Sequence, residues 1–367
     1  MHALVVGVGD YPHLLGGSGA LTDSHDGMRQ LTSPPVSARA MADWLIRDFH
    51  HPLCSGGTVS LLLSEKTPAP YRNPVTGEDH DVDRANYANL AAALKAWKDR
   101  GDSHVDDMLV FYFCGHGISE GDSMVILPSD FGADADNAYE HAVDFLGVYD
   151  AMAQFKARFQ CFFVDACRAS SDTLGDNTAR NPLQKRPRTA EGDRIAPVYY
   201  STLKGEDAHG RAGRISVYTE ALMESLNDLA ATDAEGDDDW RISNFTLSRA
   251  LDHLMARKKD TGSRMVQVPD STEIRSEFYL CHLKQTPRAN LYVSSQPDSK
   301  LCAAHLVCED GHHARIARGP MPGDEWAIMV PAGDVAIEAK LDGEVAPRPR
   351  KSTRVYPPYK RVTLDLT

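Results

Sequence analysis

Two apolar segments of strand length, each ending abruptly in a reactive side chain, constrain the fold of this chain more than any other feature. The first, residues 108–114, is followed by a Gly-His-Gly triplet centred on His116. The second, residues 161–164, is followed by Asp-Ala-Cys-Arg, in which the cysteine is Cys167. Such runs are typical of buried parallel strands, and α/β proteins place their chemistry at the carboxyl ends of these strands. We therefore predict that His116 and Cys167 lie at the same edge of one sheet.

An imidazole beside a thiol is the pairing that nucleophilic catalysis requires. A free thiol has a pKa of about 8.5, and a neighbouring histidine both activates it and protonates the leaving group. Gly115 and Gly117 have no Cβ atom, so a substrate backbone can approach the histidine closely. We predict that the backbone amides of Gly117 and Cys167 form an oxyanion hole.

These two motifs resemble those of the caspase-like cysteine peptidases, the clan of caspases, metacaspases and paracaspases. The family signature is a strand ending in His-Gly and a later strand ending in Ala-Cys-Arg or a near variant, with the histidine about 50 residues upstream. Here 51 positions separate His116 from Cys167. The resemblance covers residues 2–282 and implies a cysteine endopeptidase of prokaryotic type, with His116 and Cys167 as its catalytic residues.

The order of the predicted elements indicates an α/β fold followed by a small β module. Apolar periodicity predicts helices that alternate with the strands, at residues 37–49, 86–100, 146–155, 217–229 and 245–255. This alternation favours a mostly parallel sheet with helices on both faces, in a peptidase domain over residues 1–285. Five short alternating runs separated by Gly, Pro and Asp then predict an all-β, sandwich-like accessory domain over residues 286–367.

Residues 170–194 follow the cysteine motif and have a polar composition without apolar periodicity. Composition alone favours a solvated loop. The family resemblance implies that this segment is the intersubunit linker, which is commonly cut during activation. The two interpretations are compatible, because a protease cuts extended, mobile segments.

The family resemblance also implies a pocket for the residue before the cleaved bond. Asp165 stands two positions before the nucleophile, where metacaspases and paracaspases carry an acid, and Asp207 falls in the expected substrate loop together with Ser201. The arginine of aspartate-specific caspases would align near Gly210 and is missing. Two carboxylates favour a cation, so we expect cleavage after Arg, less often Lys. Ser37 stands where basic-specific relatives usually have Asp, so a preference for a small polar or apolar residue stays open.

Composition bounds the compartment and the partners. The formal net charge of -13 at pH 7 disfavours nucleic acid or an anionic membrane as the main partner. Seven cysteines without a Cys-x-x-Cys pair indicate reduced thiols in a cytoplasm. The expected partners are a protein substrate and an activating protease or signalling partner, the full chain being a candidate zymogen.

No cofactor is expected, and calcium stays open because metacaspases often require it. The acidic run at residues 233–239 lacks the spacing of an EF-hand loop. Two rival functions also stay open. A catalytically silent caspase-like scaffold would show an unreactive Cys167, and another thiol chemistry such as acyl transfer would call for a cofactor pocket.

Overall fold

The computed structural model describes residues 1–54, 57–120, 123–168, 179–183, 194–203, 205, 212–233, 235–260, 267–274, 276–345, 347–348 and 350–367. These residues divide into two compact units. Unit 1 comprises Met1–Met223 and Leu254–Phe278, and unit 2 comprises Glu224–His253 and Tyr279–Thr367. The domain boundary placed at residue 285 from the sequence stays a prediction.

The described residues form the following strands and helices. The strands up to residue 200 are β1 (His2–Val8), β2 (Thr58–Ser64), β3 (Tyr71–Arg72), β4 (Asp79–His80), β5 (Asp83–Arg84), β6 (Met108–Gly115), β7 (Gly117–Glu120), β8 (Ser123–Ile126), β9 (Val143–Asp144), β10 (Phe159–Ala166) and β11 (Val198–Tyr200). The later strands are β12 (Ala231–Thr232), β13 (Arg241–Ser243), β14 (Asp270–Thr272), β15 (Tyr279–His282), β16 (Arg288–Gln296), β17 (Ala304–Asp310), β18 (Arg315–Arg318), β19 (Trp326–Pro331), β20 (Gly333–Leu341), β21 (Lys351–Val355) and β22 (Tyr359–Asp365). The α-helices are α1 (Ser33–Arg47), α2 (Tyr87–Gly101), α3 (Phe145–Ala151), α4 (Val217–Glu224) and α5 (Asn244–Asp260).

A seven-stranded sheet in the order β14-β11-β10-β6-β1-β2-β5 forms the centre of unit 1. All neighbouring strands are parallel except β14, which runs antiparallel to β11 at one edge. The two motif-bearing strands, β6 and β10, are direct neighbours in the sheet. The predicted caspase-like, mostly parallel sheet is therefore confirmed.

Helices cover both faces of this sheet, as the sequence predicts. On one face, Trp97 of α2 and Phe145 of α3 each pack against Phe111, with ring centroids 5.9 Å apart in both pairs. On the other face, α1 lies so close to β1 that a Cβ atom on Gly7 would be 2.7 Å from the Cβ of Ala38. This close approach explains why a glycine stands at the penultimate position of this buried strand.

Helix α1 begins four residues earlier than its apolar periodicity predicts, at Ser33 instead of Ser37. Its first turn contains Pro34 and Pro35. Proline is tolerated in the first turn because the amide groups there have no partner within the helix. The apolar periodicity therefore revealed the body of this helix but not its start.

Unit 2 contains additional all-β sheets, in the orders β19-β16-β22, β18-β17-β20-β21 and β12-β13-β15. The first two share one apolar core, which includes Leu291 of β16, Leu306 of β17 and Ile337 of β20. The five strands predicted in this part of the chain are confirmed. Strands β18 and β21 were missed because most of their residues are exposed, so they lack an apolar signature.

Among the helices that the described residues form, none combines the length and the apolar character needed to cross a bilayer.

Candidate active site

His116 follows β6 directly, and its backbone is held by Tyr11, which follows β1. The His116 amide donates to the Tyr11 hydroxyl at 2.8 Å, and this hydroxyl donates to the carbonyl of Leu127 at 3.1 Å. A Cβ atom on Gly115 would be 2.8 Å from the same hydroxyl, so the motif glycine makes room for it. Tyr11 is therefore a residue of the site to which the sequence assigned no role.

The hydrogen bond made by the His116 imidazole fixes the tautomer of its neutral form. Its Nε2 atom lies 2.7 Å from the carbonyl oxygen of Arg29. A carbonyl can only accept, so Nε2 carries the proton and Nδ1 is the basic nitrogen. Burial lowers the pKa of His116 to about 4, although the bond to Arg29 acts in the opposite direction. The imidazole is consequently neutral at neutral pH and ready to accept a proton.

Cys167 reaches the same edge of the sheet through the register of β10 and β6. The last pair in this register joins Ala166 to Gly115, so Cys167 and His116 are the next residues on the two adjacent strands. A Cβ atom on Gly117 would lie only 2.8 Å from the carbonyl oxygen of Cys167. The structure thus brings the two predicted catalytic residues to neighbouring positions. The oxyanion hole at the Gly117 and Cys167 amides stays a prediction.

Asp165 is buried within the same region, with 4% of its surface exposed. Its Oδ2 atom accepts hydrogen bonds from the Ser216 hydroxyl, from Thr219 Oγ1 at 2.8 Å and from Cys114 Sγ at 3.3 Å. Burial raises the pKa of the Asp165 carboxyl, and these donors oppose that rise. A buried carboxyl surrounded by neutral donors differs from a surface acid in both accessibility and chemistry.

The other predicted pocket residues are placed as follows. Ser37 is fully buried, and its hydroxyl accepts the Ser216 amide at 3.0 Å. Ser201 is also fully buried, and its hydroxyl is among the groups that oppose the rise in the pKa of Asp165. The structure therefore gathers Ser37, Ser201 and Asp165 around one polar cluster. Asp207 lies outside the described residues, and the role of all four as pocket residues stays a prediction.

Ser216 and Thr219 complete this cluster and were missed at the sequence level. Ser216 precedes α4, and its hydroxyl accepts the Thr219 amide at 2.9 Å, which is the geometry of an N-cap. A serine directly before a predicted helix is the signal that could have identified it. The N-cap serine thus connects the start of α4 to Asp165.

Arg168, the residue after Cys167, ties the neighbouring loop to the sheet. The Arg168 side chain is 7% exposed and donates to Asp270 of β14 at 2.6 Å. Its guanidinium lies 4.0 Å from the ring centroid of Tyr200. The carbonyl of Arg168 accepts the Gly205 amide at 2.9 Å. These contacts fix the start of the predicted substrate loop beside Cys167.

Three acidic side chains of the run at residues 233–239 form ion pairs with an arginine of the same unit. Arg241 pairs with Glu235, Asp237 and Asp239, and Asp239 also accepts a hydrogen bond from His282. Within the part of the chain that the structure covers, no group of three or more His, Cys, Asp or Glu side chains is arranged to hold a metal ion.

Comparison with known proteins assigns the chain to a family. Residues 1–279 match the family model described as the caspase domain, which is more than half of the chain. The chain therefore belongs to the caspase domain family, and this membership supports cysteine-type peptidase activity in general.

A relative and two solved structures show how far the similarity extends. An uncharacterized protein of Sinorhizobium fredii, y4kE, is 23% identical over 275 residues, which cover 71% of this chain and 78% of the relative. The crystal structure of caspase-1 from Spodoptera frugiperda is 14% identical, with a TM-score of 0.42, and the match covers 74% of this chain and 86% of that one. A protein from Geobacter sulfurreducens is 13% identical, also with a TM-score of 0.42, over 76% of this chain and 92% of its own.

Proposed function

We propose that the chain is a cysteine endopeptidase in which Cys167 is the nucleophile and His116 the acid and base. The observation that supports this most strongly is the parallel register of β6 and β10, which places the two residues at adjacent strand ends. The bond from His116 Nε2 to the Arg29 carbonyl adds to it, because it leaves Nδ1 available as a base.

Each chemical step follows from this protonation state. The neutral imidazole accepts the thiol proton as Sγ attacks the substrate carbonyl carbon, and the Gly117 and Cys167 amides stabilise the oxyanion that forms. The imidazolium then gives the proton to the departing amine, which leaves a thioester on Cys167. His116 then takes a proton from a water molecule as this water attacks the thioester. The acid product leaves, and the imidazolium returns the proton to the Cys167 thiolate, so that each turnover consumes one water.

The proposed substrates are proteins cut after Arg, less often Lys. Asp165 supports this preference, because it is a buried carboxyl two positions before Cys167, and a buried carboxylate favours a cationic partner. Asp207 is the second proposed acid, and Ser37 and Ser201 are proposed to line the same pocket. The linker at residues 170–194 is a proposed site of self-cleavage.

The setting of the enzyme is part of the proposal. We place it in the cytoplasm, as a zymogen activated by another protease or a signalling partner, without nucleic acid or membrane as its main partner. The proposed reaction uses only the protein's own residues, and calcium enters as a condition to be tested.

Mass spectrometry of cleavage products tests this function. Wild type, Cys167→Ala and the control Cys302→Ala, which alters an exposed thiol of unit 2, are each incubated with a denatured protein mixture, with calcium or with a chelator. We expect fragments ending in Arg or Lys from wild type and from the control, and none from Cys167→Ala. Fragments ending in other residues would retain the peptidase and refute the acidic pocket. The same fragments from all three proteins would refute Cys167 as the nucleophile.

A further inference from the structure

A short part of the linker, residues 179–183, is docked on unit 1, and we call it the docked segment. The Arg180 amide donates to the carbonyl of Ala142 at 2.9 Å, and the Arg180 carbonyl accepts the Asp144 amide at 3.0 Å. Arg180 thereby forms a parallel bridge with Val143 of β9. Its side chain also pairs with Glu140. Both backbone groups of Arg180 are therefore engaged in the fold.

Side chains on the carboxyl side of Arg180 strengthen the docking. Leu183 is 2% exposed and belongs to the main apolar core of unit 1. The Asn181 side chain accepts the Leu183 amide at 2.9 Å. Its Nδ2 atom lies 2.9 Å from where a Cβ atom on Gly147 of α3 would stand, so the helix has a glycine where the segment passes. The docked segment thus has an apolar anchor and a fitted surface.

A second basic residue of the linker, Arg194, is held at the other end. Its guanidinium donates to the Gln160 side chain and to the Tyr149 carbonyl, both at 3.0 Å, and lies 4.2 Å from the Tyr149 ring centroid. The next residue, Ile195, donates to the Arg158 carbonyl at 2.9 Å and accepts the Gln160 amide at 3.0 Å. The peptide bond after Arg194 is therefore followed by a residue, Ile195, whose two backbone groups are both engaged, and the bond after Arg180 is preceded by such a residue.

We propose that the docked segment protects the peptide bond after Arg180 from proteolysis. The contacts of Arg194 protect the bond after Arg194 in the same way. The N-terminal product of linker cleavage therefore retains the docked segment. A protease needs an extended, accessible strand, so a paired bond must first open locally. Residues 169–178 contain no Lys or Arg, and the remaining basic residues of the linker are Lys185, Arg186 and Arg188. The inference depends on the proposed self-cleavage in one respect only, namely the identity of the protease that cuts the linker.

Limited digestion with trypsin tests the protection without relying on the protein's own activity. The full chain carrying Cys167→Ala is digested in its native and its urea-unfolded form, and the cut bonds are followed over time by mass spectrometry. In the native protein, we expect the bonds after Arg180 and Arg194 to be cut at least about tenfold more slowly than in the unfolded protein, because cleavage follows the population of the open form.

Two variants link the protection to the docked segment. Leu183→Asp removes its apolar anchor, and Asn181→Ala removes its internal hydrogen bond without placing a charge in the core. In each, we expect faster cleavage after Arg180 and unchanged, slow cleavage after Arg194, which serves as the internal control for folding. If Leu183→Asp does not fold, Asn181→Ala decides.

Three results would overturn the proposal. They are native cleavage after Arg180 at the unfolded rate, no acceleration in a folded variant, and a self-cleavage product of wild type that ends at Arg180. A wild-type product that extends beyond Leu183 would support it. If wild type does not cleave itself, the proposed self-processing fails, while the trypsin rates still decide whether the docked segment is protected.

Discussion

Two regions of the molecule contain the same pair of residue types in opposite environments. In unit 1, His116 is 8% exposed and Asp165 is 4% exposed, and each is held by neutral groups. In unit 2, His282 and Asp239 bond to each other at 2.9 Å, and the Asp239 side chain is 41% exposed. The pKa of Asp165 is raised by burial, whereas hydrogen bonds from His282 and Arg241 lower the pKa of Asp239. Burial thus separates two acids that look alike in the sequence.

The physical reason is the identity of the donors. Hydroxyl and thiol donors around Asp165 replace part of its lost hydration but supply no positive charge, so desolvation remains the larger effect. Asp239 remains partly exposed to solvent and pairs with the Arg241 guanidinium, so its charged form is favoured. Strongly perturbed groups cluster at functional sites, and this comparison favours unit 1 as the place of the chemistry.

The largest expected effect follows from neutralising the buried acid. The two peptide substrates carry either Arg or neutral citrulline before the cleaved bond. Asp165→Asn should lower kcat/KM for the Arg substrate roughly 1000-fold, because the substrate guanidinium would then be buried without its carboxylate partner. The citrulline substrate should be nearly unaffected. Steady-state kinetics on both substrates measure the difference, and Asp239→Asn is the matched control. Equal losses on both substrates would contradict a pocket role for Asp165.

The next largest effect is the contribution of His116 to the pH dependence of the free energy of unfolding. Its pKa falls from 6.5 to about 4 on folding, so between these values the unfolded chain binds the proton and the folded chain does not. Stability is therefore lost as the pH falls from 6.5 to 4, by about 3 kcal/mol for the whole shift. Urea unfolding at pH values from 7.5 to 4 should show this loss in wild type and not in His116→Gln.

His282→Gln is the control for this measurement, and this variant should still lose stability as the pH falls from 6.5 to 4. The raised pKa of Asp165 acts with the opposite sign, because the folded state then holds its proton to higher pH than the unfolded chain does. That contribution is common to wild type and both variants, so it cancels in the comparison. Identical pH profiles for wild type and His116→Gln would show that His116 is not buried in its neutral form.

A smaller loss is expected from the N-cap serine. Ser216→Ala removes the bond to the Thr219 amide and one donor to Asp165. The free energy of unfolding should fall by about 2 kcal/mol, the sum of a lost cap and a buried carboxyl left with fewer donors. Urea denaturation at pH 7 measures it. Ser294→Ala removes an exposed hydroxyl bond to Thr363 and should have a much smaller effect, so equal losses would argue against the buried cluster.

The sequence predicts those parts of the site that depend on local pattern. The apolar runs before His116 and Cys167 indicate buried parallel strands, and parallel strands of one sheet share the edge at which they end. That the two strands are direct neighbours is known only from the strand order of the sheet. Contacts made across long stretches of chain leave no such pattern. The Arg29 carbonyl that orients His116 could not be predicted, because every residue has a carbonyl. Tyr11 is separated from His116 by 105 positions, and nothing local marks the pair.

The predicted linker shows that composition can also fail to predict burial. Its polar composition indicates a solvated loop, yet Leu183 within it is buried in the core of unit 1. One apolar residue among polar ones produces no periodicity, so its burial depends on a surface that other elements build. The predicted linker is therefore partly docked, and residues 169–178 and 184–193 lie outside the described residues.

The smallest effect should come from the exposed acid. Asp239→Asn removes a surface pair whose stabilisation is present at neutral pH and is lost as the pH falls through the lowered pKa of Asp239. Solvent screens this pair, so the free energy of unfolding should change by no more than about 0.5 kcal/mol, and the change should shrink in 1 M salt. Urea denaturation at low and high salt measures both. A loss as large as that of Ser216→Ala, insensitive to salt, would mean that burial does not separate the two acids, and the argument that assigns the chemistry to Asp165 and His116 would lose its physical basis.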